Sequence, residues 1–283
     1  MPAPLKSLAI GLTAGLVLLI LSTTATSFLE SGAEAPLILA TTIVVALMHW
    51  WKSGIVQRMS EVQGVTQRGL QRLSEQVAES QGLIQLVPYE KPYPLPFGGG
   101  WALTADAAAL LAREVALQRP RTVVELGSGV STLLLARLFK EMGSGKVYSL
   151  DHDPGWADLT RRHLAASGVA EYAEVLDAPL SRQRFGDTDY DWYTLPEPMR
   201  RLEQIDFLIV DGPPAALNPT GMPRYPALPA LIKQLSPQAI VYVDDAKRHQ
   251  DQAMVERWLR EYPNFEVRMY DTVPGTCLIR RVG

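Results

Sequence analysis

Apolar and polar positions divide the chain into an apolar N-terminal part and a longer part in which the two kinds of residue alternate. No Asp, Glu, Lys or Arg occurs from Ser7 to Leu29, and none occurs from Ala35 to Trp51. A helix needs roughly 20 mostly apolar residues to cross the hydrocarbon core of a membrane. We therefore predict a transmembrane helical hairpin over residues 1–54.

The charges beside the two apolar stretches predict how this hairpin is oriented. Lys6 precedes the first stretch, Lys52 and Arg58 follow the second, and the turn between the stretches holds no Lys or Arg. Because positive residues are enriched on the cytoplasmic side, we expect both ends of the hairpin and the rest of the chain in the cytosol, as at a bacterial inner membrane. The alternative is a signal peptide cleaved after Ala35, although its apolar run would be longer than usual.

Residues 55–100 are expected to form an amphipathic helical stalk followed by a linker. The apolar residues of the stalk recur at mostly helical spacing: Ile55, Met59, Val62, Leu73, Val77 and Ile84. Gly64 and Gly69 interrupt a heptad pattern, so a homodimer through this helix stays open. Proline and glycine are dense from Val87 to Gly100, which ends the helix and marks a domain boundary.

Residues 101–283 alternate between short apolar runs and amphipathic segments. The predicted strands are Thr122–Leu126, Lys146–Leu150, Ala173–Leu176, Ile205–Val210, Ala239–Val243, Phe265–Tyr270 and Thr276–Arg280. The predicted helices are one capped by Thr104 and running to about Leu117, then Ser131–Glu141, Trp156–Ser167, Pro226–Leu235 and Gln250–Tyr262. This alternation is typical of a doubly wound α/β domain with a mostly parallel, seven-stranded sheet. The last two strands are expected to form a hairpin at the sheet edge.

The composition argues against several classes of protein. A formal net charge of −3 provides no basic surface, so nucleic acid is not an expected partner. The single cysteine, Cys277, lies in an apolar run, where we expect a small buried residue. The four histidines lack the spacing of zinc ligands.

In an open parallel sheet, ligands bind beyond the carboxyl ends of the strands. The first predicted strand runs into the turn Glu125-Leu-Gly127-Ser128-Gly129-Val-Ser131, which precedes a helix and offers free N–H groups to a ligand. The second strand is followed by Asp151, whose carboxylate can accept hydrogen bonds from both hydroxyls of a ribose. A dinucleotide-binding fingerprint would need a third glycine where Thr132 stands.

This combination of turn and acidic strand end is similar to the class I S-adenosylmethionine-dependent methyltransferases, from about Trp101 to the C-terminus. The resemblance implies that Gly127 and Gly129, with Ser128 and Ser131 in the same turn, pass beneath the amino-acid portion of the cofactor. It also implies that Glu125 lies near the cofactor ammonium group, that Asp151 holds the ribose, and that Asp177 contacts the adenine. A helix or turn cap is the alternative role for Asp177.

Three more carboxylates follow the fourth and fifth sheet strands: Asp211, Asp244 and Asp245. They resemble the acidic strand ends of the catechol O-methyltransferase branch, which implies a site for Mg²⁺ or another divalent cation that orients a substrate oxygen. That branch has a lysine shortly after the first acid, which is absent here; Lys247 is the candidate basic group, with Arg248 or His249 as alternatives. The competing interpretation makes Asp211 and Asp244 turn formers, one of them acting as general base without metal.

The motif Asp211-Gly-Pro-Pro, with Arg224-Tyr-Pro and Asp244-Asp-Ala-Lys-Arg, is similar to a bacterial group known as methyltransferase family 24. In its Pro-rich loop, Arg224 is a candidate substrate residue that clamps an anionic group, or else an exposed structural arginine. The aromatic segment 185–194 is interpreted either as a wall over the acceptor, with Trp192 as a substrate contact, or as a surface loop that Trp192 pins to the core.

The leading hypothesis is a membrane-anchored S-adenosylmethionine-dependent methyltransferase that methylates a hydroxyl. The anchor favours a membrane-proximal small molecule, a lipid-linked sugar or a glycan precursor as the acceptor. Two hypotheses of other classes stand beside it: a membrane-tethered scaffold with a vestigial nucleotide pocket, and a nicotinamide-dependent oxidoreductase.

Overall fold

The computed structural model describes residues 34–91, 94–97, 103–214 and 221–282. Its helices are α1 (Glu34–Leu86), α2 (Ala105–Gln118), α3 (Val130–Met142), α4 (Pro154–Ala166), α5 (Glu197–Arg200), α6 (Ala227–Leu231) and α7 (His249–Glu261). Its strands are β1 (Thr122–Leu126), β2 (Lys146–Asp151), β3 (Ala173–Asp177), β4 (Leu180–Phe185), β5 (Thr188–Tyr193), β6 (Ile205–Val210), β7 (Leu235–Asp244), β8 (Phe265–Tyr270) and β9 (Thr276–Arg281). The chain divides into two compact units, Met1–Leu73 and Ser74–Gly283.

Helix α1 is one continuous helix of 53 residues. By length and composition alone it is the one helix in the described part of the chain that could cross a membrane. Apolar side chains in its N-terminal half are exposed, with Leu39 at 64%, Val45 at 65% and Trp50 at 68%. The first of the two predicted spans lies outside the described residues, so the two-helix hairpin stays a prediction.

The second unit contains a seven-stranded sheet in the order β3-β2-β1-β6-β7-β9-β8. The five strands from β3 to β7 in this order pair in parallel, and β9 is antiparallel to both β7 and β8. The predicted mostly parallel, doubly wound sheet with an edge hairpin is therefore confirmed. Because the chain order reverses between β1 and β6, the carboxyl ends of these strands flank a crevice that suits a ligand.

Alternate side chains of the central strands pack on opposite faces of the sheet. Val123 and Phe207 belong to a core shared with α2 and α3, whereas Val124 and Leu208 belong to a core shared with α7. Both faces are therefore apolar, as a parallel sheet covered on two sides requires. Burying each such side chain stabilises the fold by about 1.5–3 kcal/mol, which holds the strand ends in place.

Two predictions about secondary structure were wrong. The segment interpreted as an aromatic loop is a β-hairpin, in which β4 and β5 form a separate two-stranded sheet. Polar and aromatic residues alternate from Asp189 to Trp192, which is the period of a strand. The helix predicted over Pro226–Leu235 is only α6, because Leu235 already begins β7 by pairing with Ile205.

Candidate active site

A cavity of about 510 Å³ opens at the carboxyl ends of the parallel strands. Its walls come from the turn after β1, the end of β2, helix α4, and the ends of β6 and β7. Among the lining residues are Gly127, Ser128, Gly129, Ser131, Asp151, Tyr193, Asp211, Arg224, Asp244, Asp245 and Arg248. The sheet thus brings the predicted cofactor residues and the predicted acidic residues to one space.

The turn after β1 is built for a close approach of the backbone to a ligand. Gly127 has φ of +102°, a conformation that side chains rarely allow. Its N–H donates to the carbonyl of Leu150 at 2.8 Å, which ties the turn to β2. Thr132 accepts from the Gly129 N–H at 3.0 Å, so a threonine hydroxyl holds the start of α3 where a dinucleotide fingerprint has glycine.

Asp151 is buried at the cavity wall and fastened to this turn. Its Oδ2 accepts hydrogen bonds from the Ser128 N–H at 3.0 Å and the Ser128 hydroxyl at 2.5 Å. Its Oδ1 accepts from the Asp153 N–H at 3.0 Å. These donors are backbone and hydroxyl groups, and the Nδ1 of His152 lies 3.7 Å from Oδ1. Its predicted contact with a ribose stays a prediction.

Glu125 lies behind the turn rather than on the cavity wall. The side chain is fully buried, and its Oε2 accepts from the Ser149 hydroxyl at 2.7 Å and from the Thr132 hydroxyl. Burial raises the pKa of Glu125 to about 7, against the opposing effect of its hydroxyl donors. Its Oε1 has no hydrogen-bond partner within the described residues. The predicted contact with the cofactor ammonium group stays a prediction.

Asp177 lies at the end of β3 but does not line the cavity. Its side chain is 59% exposed and forms an ion pair of 2.8 Å with Arg161. The wall nearest to the end of β2 comes instead from residues that sequence reasoning missed: His152, Asp153, Trp156, Leu159, Thr160 and His163. Asp153 caps α4 by accepting from the N–H of Gly155 and Trp156. The pattern Asp153-Pro154 is a helix-start signal that indicates this wall.

Asp211, Asp244 and Asp245 come together at the opposite end of the cavity, as their places after β6 and β7 predict. Carboxylate oxygens from all three lie within 4.8 Å of one another. Burial, opposed by Arg224 and reinforced by Asp245, raises the pKa of Asp211 to about 7. Burial and the neighbouring Asp211 raise the pKa of Asp244 well above its ordinary value. We call these three residues the acidic cluster.

Arg224 lies inside the acidic cluster and is only 4% exposed. Its Nη2 lies 3.3 Å from Asp211 Oδ1 and 3.2 Å from Asp245 Oδ2. The guanidinium also donates to the backbone carbonyls of Asp211 at 2.6 Å and Asp244 at 3.2 Å. An exposed arginine, one of the two interpretations of the sequence, is therefore excluded. Its donors already bond to the ends of β6 and β7, so these contacts give no support to a substrate clamp.

Two other predicted site residues do not reach the cavity. The Lys247 ammonium donates to the carbonyl of Thr272 at 2.6 Å and pairs with Asp271 at 2.9 Å. Arg248, the next residue, does line the cavity and pairs with Asp245 at 2.7 Å. Trp192 is buried in the core, whereas its neighbour on β5, Tyr193, lines the cavity.

The acidic cluster has the ligand chemistry of a divalent-cation site, but it already holds the positive charge of Arg224. Three carboxylates at this spacing suit a hard cation such as Mg²⁺. Asp244 Oδ1 is buried and has no hydrogen-bond partner among the described residues, which leaves it available as a ligand. Arg224 already supplies positive charge to Asp211 and Asp245. The three carboxylates therefore fit a cation, and the Arg224 guanidinium weakens their attraction for it.

Part of the chain that contains this site is similar to known proteins. Residues 124–246 match the family model described as a methyltransferase domain. No curated protein matches the chain. The fold is similar to three solved structures, all with distant sequences. The first is an S-adenosylhomocysteine-bound methyltransferase from Podospora anserina (15% identity, 64% of this chain and 80% of that one, TM-score 0.48).

The second structure is an O-methyltransferase from Streptomyces achromogenes with S-adenosylmethionine (18% identity, 73% of this chain and 90% of that one, TM-score 0.46). The third is a putative caffeoyl-CoA O-methyltransferase from Staphylococcus aureus (10% identity, 75% and 98%, TM-score 0.49). These similarities are too distant to assign an acceptor. The matched region runs from β1 to just after β7 and contains the glycine turn, Asp151 and the acidic cluster. Residues 124–246 therefore resemble a methyltransferase domain.

Proposed function

We propose that this chain transfers the methyl group of S-adenosylmethionine to a hydroxyl oxygen of a small-molecule acceptor. The observation that supports this most directly is that one cavity joins the glycine turn and Asp151 to the acidic cluster. Pockets of roughly 300–1,000 Å³ bury most of the surface of a small-molecule ligand, and this cavity has a volume in that range. The cofactor at one end and the acceptor at the other would share a space in which attack and departure are in line.

The acidic cluster accounts for the proton that an O-methylation must remove. The acceptor oxygen attacks the methyl carbon, the carbon–sulfur bond breaks, and the hydroxyl proton needs an acceptor. Asp211 lines the cavity, and its pKa of about 7 lets it take up a proton at neutral pH. The products are the methyl ether, S-adenosylhomocysteine and a proton held by the cluster.

Substitution of Asp211 tests this role. Asp211→Asn keeps the shape of the side chain but removes the base, so transfer of a labelled methyl group should fall about 100-fold or more. Asp206→Asn is the matched control, because Asp206 lies at the other end of β6 and, among the described residues, bonds to the N–H groups of Arg121 and Thr122 and to Gln204. Equal activity of Asp211→Asn and the wild type would contradict the proposal.

A metal-assisted form of the reaction is the second candidate, because three carboxylates converge and Asp244 Oδ1 lacks a partner among the described residues. Asp211, Asp244 and Asp245 would hold the cation, and a bound cation would lower the pKa of the acceptor hydroxyl. Turnover should then vanish in EDTA and return on titration with Mg²⁺ or Mn²⁺. Turnover unchanged by EDTA would rule out the cation and leave Asp211 as a base without metal.

The acceptor is proposed to be membrane-proximal, such as a lipid-linked sugar or a glycan precursor. Support for a membrane anchor comes from α1, whose length and composition would allow it to cross a bilayer, and from the uncharged stretch before it. Membranes incubated with methyl-labelled S-adenosylmethionine should yield label in a lipid or glycan fraction. Label confined to soluble molecules would contradict this part of the proposal while leaving methyl transfer intact.

A further inference from the structure

The last turns of α1 pack backbone against backbone on the start of α2. Glu79 Oε2 accepts a hydrogen bond of 3.0 Å from the Ala105 N–H, the first in the helix. A Cβ added to Gly82 would lie 2.4 Å from the carbonyl carbon of Ala105, so only glycine allows this approach. Leu86, one turn further, is fully buried. All these residues belong to the compact unit Ser74–Gly283.

The start of α2 is also part of the cavity wall. Leu103 and Thr104, which immediately precede the helix, line the cavity, and so does Pro274 from the turn between β8 and β9. Asp106 joins these two segments: its Oδ1 accepts from the Thr104 hydroxyl at 2.7 Å, and its Oδ2 accepts from the Val273 N–H at 2.7 Å. The place of α2 therefore fixes two sides of the cavity at once.

We propose that Glu79 and Gly82 are positioning residues that hold this wall of the active site. The inference rests on the proposed function and extends the catalytic unit about 40 residues before the region that matches the family. Glu79 satisfies an N–H that the helix cannot pair internally, and its carboxylate suits the positive end of the helix dipole. Gly82 brings the two backbones close enough for this bond to form.

Two glycines of the same helix provide a matched pair of substitutions in the full-length protein. Gly82→Ala drives a methyl group into the Ala105 backbone, so it should displace the wall and reduce methyl transfer at least fivefold. Gly69→Ala meets no atom within 4 Å, and alanine favours a helix over glycine. It should leave transfer unchanged and keep or raise the unfolding temperature. Transfer is measured from methyl-labelled S-adenosylmethionine into a membrane extract, below the unfolding temperature of each variant.

Substitutions at Glu79 keep the test decisive even if Gly82→Ala does not fold. Glu79→Leu removes the acceptor for the Ala105 N–H and should lower methyl transfer about fivefold, the effect of one lost hydrogen bond. Glu79→Gln retains an acceptor oxygen and should recover most of that loss. A residue with only a structural role would lower the unfolding temperature without changing transfer by the folded protein.

The proposal is overturned if folded Glu79→Leu transfers methyl groups and binds S-adenosylmethionine like the wild type. It is also overturned if Glu79→Gln and Glu79→Leu lose the same activity, because the hydrogen bond would then be irrelevant. A wild-type chain that neither binds S-adenosylmethionine nor transfers its methyl group would instead contradict the proposed function. Calorimetric binding of S-adenosylmethionine to the wild type therefore distinguishes the two failures.

Discussion

The two ends of the cavity hold their carboxylates by opposite means. At the end lined by the glycine turn, which we call the cofactor end after the proposed function, Asp151 accepts hydrogen bonds from neutral donors of Ser128 and Asp153. At the end lined by the acidic cluster, which we call the acceptor end, Asp211 and Asp245 pair with the buried guanidinium of Arg224. Neutral donors fix an orientation and leave the charge in place, whereas a buried counter-ion offsets the charge itself.

Because of this difference, substitutions at the two ends of the cavity should have different effects on binding and on folding. The cofactor end depends on backbone geometry, so a change there should affect ligand binding more than folding. The acceptor end gathers three carboxylates around one buried cation, so loss of that cation should affect folding before it affects chemistry.

Removal of Arg224 should produce the largest loss of stability. Arg224→Met removes the ion-pair partner of Asp211 and leaves Asp245 with only the half-exposed Arg248, so it should lower the free energy of unfolding by about 3–5 kcal/mol. Arg248→Met is the matched control: it removes another partner of Asp245, but the Arg248 side chain is 48% exposed. Its loss should cost less than about 1 kcal/mol. Urea denaturation measures both, and equal losses would show that burial of Arg224 is not decisive.

Glu125 should make stability depend on pH. Its pKa is raised from 4.5 to about 7 in the folded chain, so the unfolded chain loses this proton at lower pH than the folded chain does. The stabilising contribution is full below pH 4.5 and is lost as pH rises to about 7, a fall of about 3 kcal/mol in the free energy of unfolding.

Glu125→Gln tests this contribution because glutamine cannot titrate. The free energy of unfolding of the variant should therefore fall less as the pH rises. Urea denaturation of both proteins between about pH 4 and pH 8 would measure this difference. Asp211 also has a raised pKa, partly because of the Glu125 charge, so the difference between the two profiles reports Glu125 together with its effect on Asp211. Parallel profiles for the wild type and Glu125→Gln would contradict the prediction.

Asp151 should matter for binding of the cofactor. Asp151→Asn removes the charge that is expected to accept the ribose hydroxyls, and affinity for S-adenosylmethionine should fall about 100-fold, as for two hydrogen bonds to a charged group. Asp158→Asn is the control, because Asp158 is 63% exposed and pairs with Arg161 outside the cavity. Calorimetry should find wild-type affinity for the control; a similar affinity for Asp151→Asn would contradict the assigned role.

Tyr193 lies where the two ends meet and should show the smallest effect. Its buried hydroxyl has no hydrogen-bond partner in the described part of the chain, and burial together with Asp151 raises its pKa. Tyr193→Phe should therefore change the free energy of unfolding by less than about 0.5 kcal/mol, or increase it. Tyr190→Phe, on the same strand, loses a 3.1 Å hydrogen bond from Arg257 and should cost about 1 kcal/mol. Thermal denaturation compares the two variants; a larger loss for Tyr193→Phe would contradict this prediction.

The sheet could be predicted from sequence because its central strands β1 and β6 are short apolar runs, and β1 ends at a glycine turn and β6 at Asp211. The same rule predicted that Asp211, Asp244 and Asp245 would converge, since parallel strands end at one edge. The burial of Arg224 could not be predicted, because it depends on partners 13 and 21 residues away in the chain. Prolines around it favoured an exposed loop.

The pattern of apolar and polar residues also did not predict the β4–β5 hairpin or the direction of single side chains. Its strands carry many charged residues, so the aromatic positions suggested a loop rather than a strand. Lys247 was placed in the site because it follows Asp244 and Asp245, yet its ammonium turns toward Thr272 and Asp271. Sequence proximity to a strand end predicts where a backbone lies and leaves open which way a flexible side chain points.

Calorimetric titration of the purified full-length chain with S-adenosylmethionine would show whether the cavity binds this cofactor. We expect saturable binding of one molecule per chain, strongly weakened by Asp151→Asn, and no binding of a nicotinamide dinucleotide. Absence of binding by S-adenosylmethionine, or preference for the nicotinamide dinucleotide, would contradict this expectation.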